Sequence, residues 1–347
     1  MKKNPLGRTE TMVTDLCLGS MTWGTQTPET EAHTQIDMAL DHGINFIDTA
    51  EAYPVNPMKA ETAGLTEQVI GTWIAKSGRR DEVVLATKVA GAGSICHDGA
   101  PISSKLIDKA LKDSLARLQT DHVDLYQLHW PNRGSYAFRQ NWTFDPFGQD
   151  RARTVAHMED TLAGLKKHVE AGRIRHVGLS NESAWGTMMW LEAAQSIGAP
   201  RMVSIQNEYS LLFRMFDTDL AEVAAHEQVG LLSYSPLACG MLTGKYRDGA
   251  CPEGSRLAVG TNKLGGRFTD RAQEAVEIYA ALASDHGLDL AHMSLAFCRA
   301  RPFMTSTIFG ATTVPQLEHI LAGIEVSLPD EVLTAINDAH RAFPMPY

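Results

Sequence analysis

The chain has 347 residues, 44% of them hydrophobic and 21% charged, with a formal net charge of −10. That charge argues against nucleic acid or an anionic membrane as the main partner, so any basic site for a phosphorylated ligand must be local. Five cysteines lack a Cys-x-x-Cys pair, and thirteen histidines include no His-x-x-x-His pair or clustered acid ligands, so free thiols and no metal are expected.

Met1 to Met12 is polar and has no apolar core of about 7–15 residues such as a signal peptide needs. No apolar run approaches the roughly 18 residues of a membrane span, so a cytoplasmic protein is expected. Leu16-Cys17-Leu18 reads as a first strand ending at Gly19, followed by a helix near Thr30–His42 with Ile36, Ala39 and Leu40 on one face. Ile44, Phe46 and Ile47 form a short buried strand that stops at Asp48, and a helix over Leu65–Lys76 places Val69, Ile70 and Trp73 at helical spacing. Val83–Thr87 leads into Lys88, a Gly-rich loop and a helix near Ser104–Leu118, whose Leu111, Leu115 and Leu118 form a core stripe.

The strand Val123–Leu128 leads into His129-Trp130-Pro131 and then the longest irregular stretch, about Pro131–Arg151, where Trp142, Phe144 and Phe147 favour a substrate-side lid. A helix to Ala171-Gly172, a strand Arg175–Leu179, a helix through Met188–Ala194 and a strand Met202–Ile205 come next. A helix at Asp219–Glu227, a strand Gly230–Ser233, a long helix from near Asp270 and a last strand Ser306–Phe309 complete the series. Eight strand-plus-helix units without a linker predict one (β/α)8 TIM barrel domain over residues 1–347, with a long loop after the fourth strand, because parallel strands need crossover helices outside. No Gly-x-Gly-x-x-Gly follows the first strand, so a doubly wound dinucleotide-binding sheet is disfavoured.

An acid after a strand is, taken alone, more often a helix cap or turn residue than a catalyst. Here Asp48 with Tyr53, then Lys88, then His129 follow three successive strands, and in a parallel barrel those ends converge on one cavity. These pieces resemble the aldo-keto reductase family: Gly43 to Tyr53, Lys88, Ser114 to Leu118, Asp121 to Pro131, and Gly178-Leu179-Ser180-Asn181. Gln206-Asn207, Tyr234-Ser235-Pro236-Leu237 and Gly310-Ala311-Thr312-Thr313 extend the resemblance over nearly the whole chain, nearer to the bacterial Tas-like branch than to the potassium-channel β-subunits. The resemblance implies Tyr53 as general acid, Lys88 and His129 tuning it, and Asp48 supporting Lys88. The chemistry is consistent, since hydride transfer to a carbonyl needs a proton for the developing alkoxide, and a tyrosine with a pKa near 10 needs a neighbouring cation to release it.

The resemblance further implies a nicotinamide site of Ser180, Asn181 and Gln206, with Tyr234 as a stacking face. It implies a pyrophosphate loop of Ser235, Pro236, Leu237 and Gly240, to which Lys245 and Arg256 add charge, and an adenosine phosphate end at Gly310, Thr312 and Gln316. Many relatives carry a basic residue where Gly310 stands and a Glu-Asn pair where this chain has His319-Ile320, which leaves NADH possible, but Gln316 and Thr312 remain as in relatives that take NADP, so NADPH is expected. Trp23 and Trp130 are expected to line an apolar substrate pocket. The implied function is NADPH-dependent reduction of a small-molecule aldehyde or ketone. The alternative is a nicotinamide-binding, redox-sensing regulatory partner with slow residual reductase activity.

Overall fold

The structure is a computed structural model that describes residues 1–347 with the exception of Asn56 and Thr261. Its centre is a closed barrel of eight parallel strands: β3 (Leu16–Gly19), β4 (Phe46–Asp48), β5 (Val84–Val89), β6 (Val123–Leu128), β7 (Ile174–Ser180), β8 (Met202–Glu208), β9 (Gly230–Tyr234) and β10 (Met304–Phe309). A helix follows each strand to α6: α1 (Glu29–Asp41), α2 (Leu65–Ser77), α3 (Ser104–Leu118), α4 (Arg151–Glu170), α5 (Ala184–Ser196) and α6 (Asp219–Glu227). After β9 the chain makes the short helices α7 (Arg256–Val259) and α8 (Lys263–Gly266) before α9 (Asp270–Asp285) and α10 (Leu290–Arg299). Strand β10 is followed by α11 (Val314–Ala322) and α12 (Asp330–Ala342). This is the (β/α)8 architecture that the alternation of elements predicts.

Helix starts follow their capping residues. Ser103, Asp150, Ser183 and Thr313 each accept a backbone N–H of the first turn through their side chains, at α3, α4, α5 and α11. The cap at Asp150 ends the long loop after β6, whose expected limit at Arg151 coincides with the first residue of α4.

Two packing zones build the core. Outside the barrel, leucines and isoleucines of the helices meet the outward faces of the strands in one large cluster that includes Leu111, Leu118, Leu162 and Leu165. Inside, Cys17, Phe46, Ala86, Leu125, Val203, Leu232 and Ile308 point inward from seven strands and are joined by Leu6 and Val13. Leu6 and Val13 belong to an antiparallel hairpin of β1 (Lys3–Pro5) and β2 (Met12–Thr14). The hairpin closes the N-terminal end of the barrel, so the polar start of the chain is structured. Its turn residue Gly7, at φ 63°, lies where an added Cβ would stand 2.7 Å from the Val203 carbonyl oxygen. With that end plugged, the C-terminal ends of the strands form the barrel's other end.

Candidate active site

Register decides which side chains meet at the open end. Asp48 ends β4 opposite Ala86, and Lys88 near the end of β5 is paired with Gln127 of β6. Alternation along each strand sends these residues inward. Lys88 Nζ donates to Asp48 Oδ2 at 2.6 Å and to the Thr49 carbonyl at 2.7 Å, with its side chain wholly shielded from solvent. The other carboxylate oxygen accepts from Gln127 Nε2 at 3.1 Å and Gln206 Nε2 at 2.8 Å. Burial alone would lower the Lys88 pKa, but Asp48 and Tyr53 outweigh it and hold the ammonium above its ordinary value. A buried ion pair of this kind is tolerable because both carboxylate oxygens of Asp48 accept hydrogen bonds and the ammonium has a second acceptor in the Thr49 carbonyl.

Tyr53 lies in the loop after β4, half-buried, with Lys88 Nζ 4.9 Å from its ring centroid and the His129 ring edge-on at 5.9 Å. Burial raises the phenol pKa, and Lys88 pulls the other way without cancelling it, so Tyr53 is a protonated phenol at neutral pH. The reading from sequence anticipates only the second effect. His129 follows β6; burial first, and then the charge of Lys88, hold its pKa well below the usual imidazole range, so the ring is neutral. Its Nδ1 is buried without a hydrogen-bond partner among the described residues.

The sequence-predicted nicotinamide residues converge on the same cavity. Asn181, in a left-handed backbone conformation at φ 55°, donates through Nδ2 to the His129 carbonyl at 2.9 Å and accepts from the Tyr234 hydroxyl at 2.7 Å. Ser180 Oγ donates to the Gln206 carbonyl at 2.9 Å. Gln206 does not end its strand, since β8 continues to Glu208, and its amide is spent on Asp48 and on Gln127 Oε1 at 3.2 Å. Gln127 is thus a site residue that stands in the sequence only inside the Asp121–Pro131 motif; its signal was an amide between Tyr126 and Leu128 in a strand that is buried throughout.

Beyond Tyr234 the chain turns through Ser235, Ala238, Cys239 and Gly240, all at positive φ. Glycine is favoured at position 240 by its backbone, at φ 96°, which residues with a Cβ rarely adopt. Within this loop Ala238 and Gly240 give their backbone N–H groups to the Ser235 and Leu237 carbonyls, at 2.8 and 2.9 Å. Lys245 and Arg256 stand close enough for the Arg256 charge to lower the Lys245 pKa after burial has done so, and two cations side by side fit a pyrophosphate. Arg256 also reaches toward Met21, with Nη1 3.9 Å from Sδ, and its charge acts on Tyr53, which places it toward the reacting end of the cleft.

Gly310 is exposed, and Thr312 donates through its backbone N and Oγ1 to Gln316 Oε1 at 3.0 and 2.9 Å. The Val314 N–H at the start of α11 is taken by Glu31 Oε1 at 2.7 Å. Ile320 is buried in the core, so it faces away from any ligand.

The two tryptophans part company. Trp130 is half-buried beside His129, at 4.8 Å between ring centroids. Trp23 is 0% exposed and gives its indole N–H to Gln35 Oε1 of α1 at 3.2 Å. The lid expectation changes. Trp142 and Phe147 are exposed to solvent, and the loop residue that meets Trp130 is Phe138, edge-on at 6.1 Å.

The Aldo/keto reductase family model matches residues 15–341. Protein tas of Escherichia coli (strain K12) is 45% identical over 345 residues, covering 96% of each chain. The uncharacterized oxidoreductase YrpG of Bacillus subtilis (strain 168) is 34% identical over 351 residues, covering 100% of this chain and 97% of its own. A probable voltage-gated potassium channel subunit beta of Arabidopsis thaliana is 29% identical over 331 residues, covering 94% and 92%. With the barrel, the family match over residues 15–341 and relatives of this similarity, the chain belongs to the aldo/keto reductase family and is an NAD(P)H-dependent oxidoreductase.

Proposed function

We propose that the chain, acting as a single barrel domain, reduces an aldehyde or ketone to an alcohol with NADPH, and that Tyr53 is the proton donor. The observation that carries this reading is the unit formed by the Lys88 ammonium, held at 2.6 Å from Asp48, the Tyr53 ring 4.9 Å away and the neutral His129 ring beside it. When bound, the reduced nicotinamide supplies a hydride. Tyr53 carries the proton because burial keeps it as a phenol, and its O–H bond breaks as an O–H bond forms on the alkoxide oxygen. Lys88 then stabilises the tyrosinate left behind. Asp48 holds Lys88 in place and does not compete for the proton, since both of its oxygens accept hydrogen bonds from Lys88, Gln127 and Gln206. His129 is neutral, which suits it to donate a hydrogen bond to the carbonyl oxygen without adding charge.

For the cofactor, Ser180, Asn181, Gln206 and Tyr234 would hold the nicotinamide, the loop from Ser235 to Gly240 with Lys245 and Arg256 the pyrophosphate, and Gly310, Thr312 and Gln316 the adenosine phosphate end. Glu31 favours a second reading, NADH. Its carboxylate occupies the Val314 N–H at the start of α11, and negative charge there opposes a 2′-phosphate. Oxidation of NADPH and NADH against a panel of aldehydes, ketones and quinones tests the proposal. Turnover of none of them, with both nucleotides bound, would overturn it.

A further inference from the structure

The loop after β6 brings a charge beside Glu208, at the edge of the cavity, that the carbonyl-reduction chemistry does not use. Glu208, the last residue of β8, is buried and accepts from Arg267 Nε at 2.7 Å, from Arg267 Nη2 at 2.8 Å and from the Tyr347 hydroxyl at 3.2 Å. Arg139, from the long loop, approaches the same carboxylate only to 3.6 Å, and its Nη1 is buried without a hydrogen-bond partner among the described residues. Two guanidinium groups therefore face one carboxylate that Arg267 already satisfies. Burial and the Arg267 charge both press against the charged form of Arg139.

Arg139 is nonetheless held in place. Its own backbone and that of Phe138 are left-handed, at φ 65° and 56°, and its guanidinium lies along the Gly265-Gly266 backbone, where a Cβ on Gly265 would stand 3.3 Å from Nη2. A side chain fixed with an unmet donor and an excess positive charge is arranged for an anion that completes the set.

The neighbouring cavity says where that anion comes from. Tyr136, Ala137 and Phe138 of the loop share it with Asn181, Asn207 and Tyr234, at the proposed nicotinamide end, and with Glu208, whose charge Arg267 already offsets. Phe138 in turn meets Trp130, which meets His129. A substrate whose carbonyl is at Tyr53 and His129 would extend past Trp130 and Phe138 toward Arg139. We propose that Arg139 binds the anionic group, a carboxylate or its equivalent, of a carbonyl substrate with an aromatic or apolar spacer, and so selects carboxylated aldehydes and ketones over neutral ones. The inference rests on the carbonyl-reductase reading above.

The test compares kcat/KM for 4-carboxybenzaldehyde with that for benzaldehyde, and for 4-oxobutanoate with that for butanal, in the wild type, Arg139→Gln and Arg139→Lys, with NADPH affinity titrated in each. The expected result is a wild-type preference for the carboxylated member, which falls about 10–100-fold in Arg139→Gln through KM and is partly restored in Arg139→Lys. An unchanged preference ratio in Arg139→Gln, or a loss that tracks NADPH affinity alone, overturns the assignment. Because the neutral aldehydes report reduction as such, their turnover without any preference for carboxylates sinks this inference while leaving the reductase reading intact.

Discussion

Replacing Tyr53 with phenylalanine removes one oxygen and leaves the ring to pack against Lys88 and His129, at 4.9 and 5.9 Å. Folding and nucleotide affinity should therefore change little. A placed proton donor contributes about 10²–10⁴-fold to rate, equivalent to about 2.7–5.5 kcal/mol of transition-state stabilisation, so carbonyl turnover should fall at least about a hundredfold. Lys88→Met should act in the same direction by removing the charge that stabilises tyrosinate. It also leaves the buried Asp48 carboxylate with only the Gln127 and Gln206 amides, and breaking such a pair costs about 3–5 kcal/mol of stability, so that variant must be assayed well below its Tm. The double variant should lose much less than the sum of the two, because the residues act as one unit. The measurements are steady-state and single-turnover NADPH oxidation with nucleotide binding followed separately. Near-normal turnover in a folded, NADPH-binding Tyr53→Phe variant would refute the mechanism even with the barrel and family intact.

The position of Arg256 near Met21 and within reach of Tyr53 suits a pyrophosphate more than a 2′-phosphate, so Arg256→Ala should weaken NADPH and NADH by similar factors; a loss confined to NADPH, seen by parallel titration, would move Arg256 to the adenosine end. Burial holds His129, His157, His168, His176 and His340 below the usual imidazole pKa of 6.5, so the unfolded chain binds more protons than the folded one below that value. Stability should therefore fall as pH drops from about 6.5, and a Tm that is flat or rising between pH 7 and 5 would contradict these shifts. Trp23→Ala should destabilise by about 3–5 kcal/mol in denaturant unfolding, as expected of a buried core indole, whereas a pocket-wall residue would alter KM at nearly constant stability.

Several parts of the protein were legible without coordinates because they depend on local rules. Strand and helix alternation follows from periods of two and 3.6 residues, and α3 occupies Ser104–Leu118 as its leucine spacing and Ser103 cap require. The four residues Asp48, Tyr53, Lys88 and His129 stood out because each follows or ends a strand, and parallel closure brings such ends together whatever the intervening sequence. The N-terminal hairpin escaped notice because a three-residue strand gives too short an alternation to read, and its Leu6 and Val13 are buried by a barrel end that only the closed fold creates.

What the chain alone could not decide was which partner each inward side chain finds. Trp23 and Trp130 are the same residue type, each in a segment just beyond a barrel strand, yet one packs under α1 and the other beside His129. Gln127 and Gln206, 79 residues apart, share Asp48 because of strand register, which hydrogen bonding across the barrel sets. Arg139 and Glu208 carry no recognisable spacing, and only folding shows that Arg267 has already satisfied the carboxylate. Sequence by itself determined the barrel and the residues at its mouth, since periodicity and strand ends are local properties. Tertiary structure decided protonation and pairing, because burial and electrostatic partners depend on distances between residues far apart in the chain.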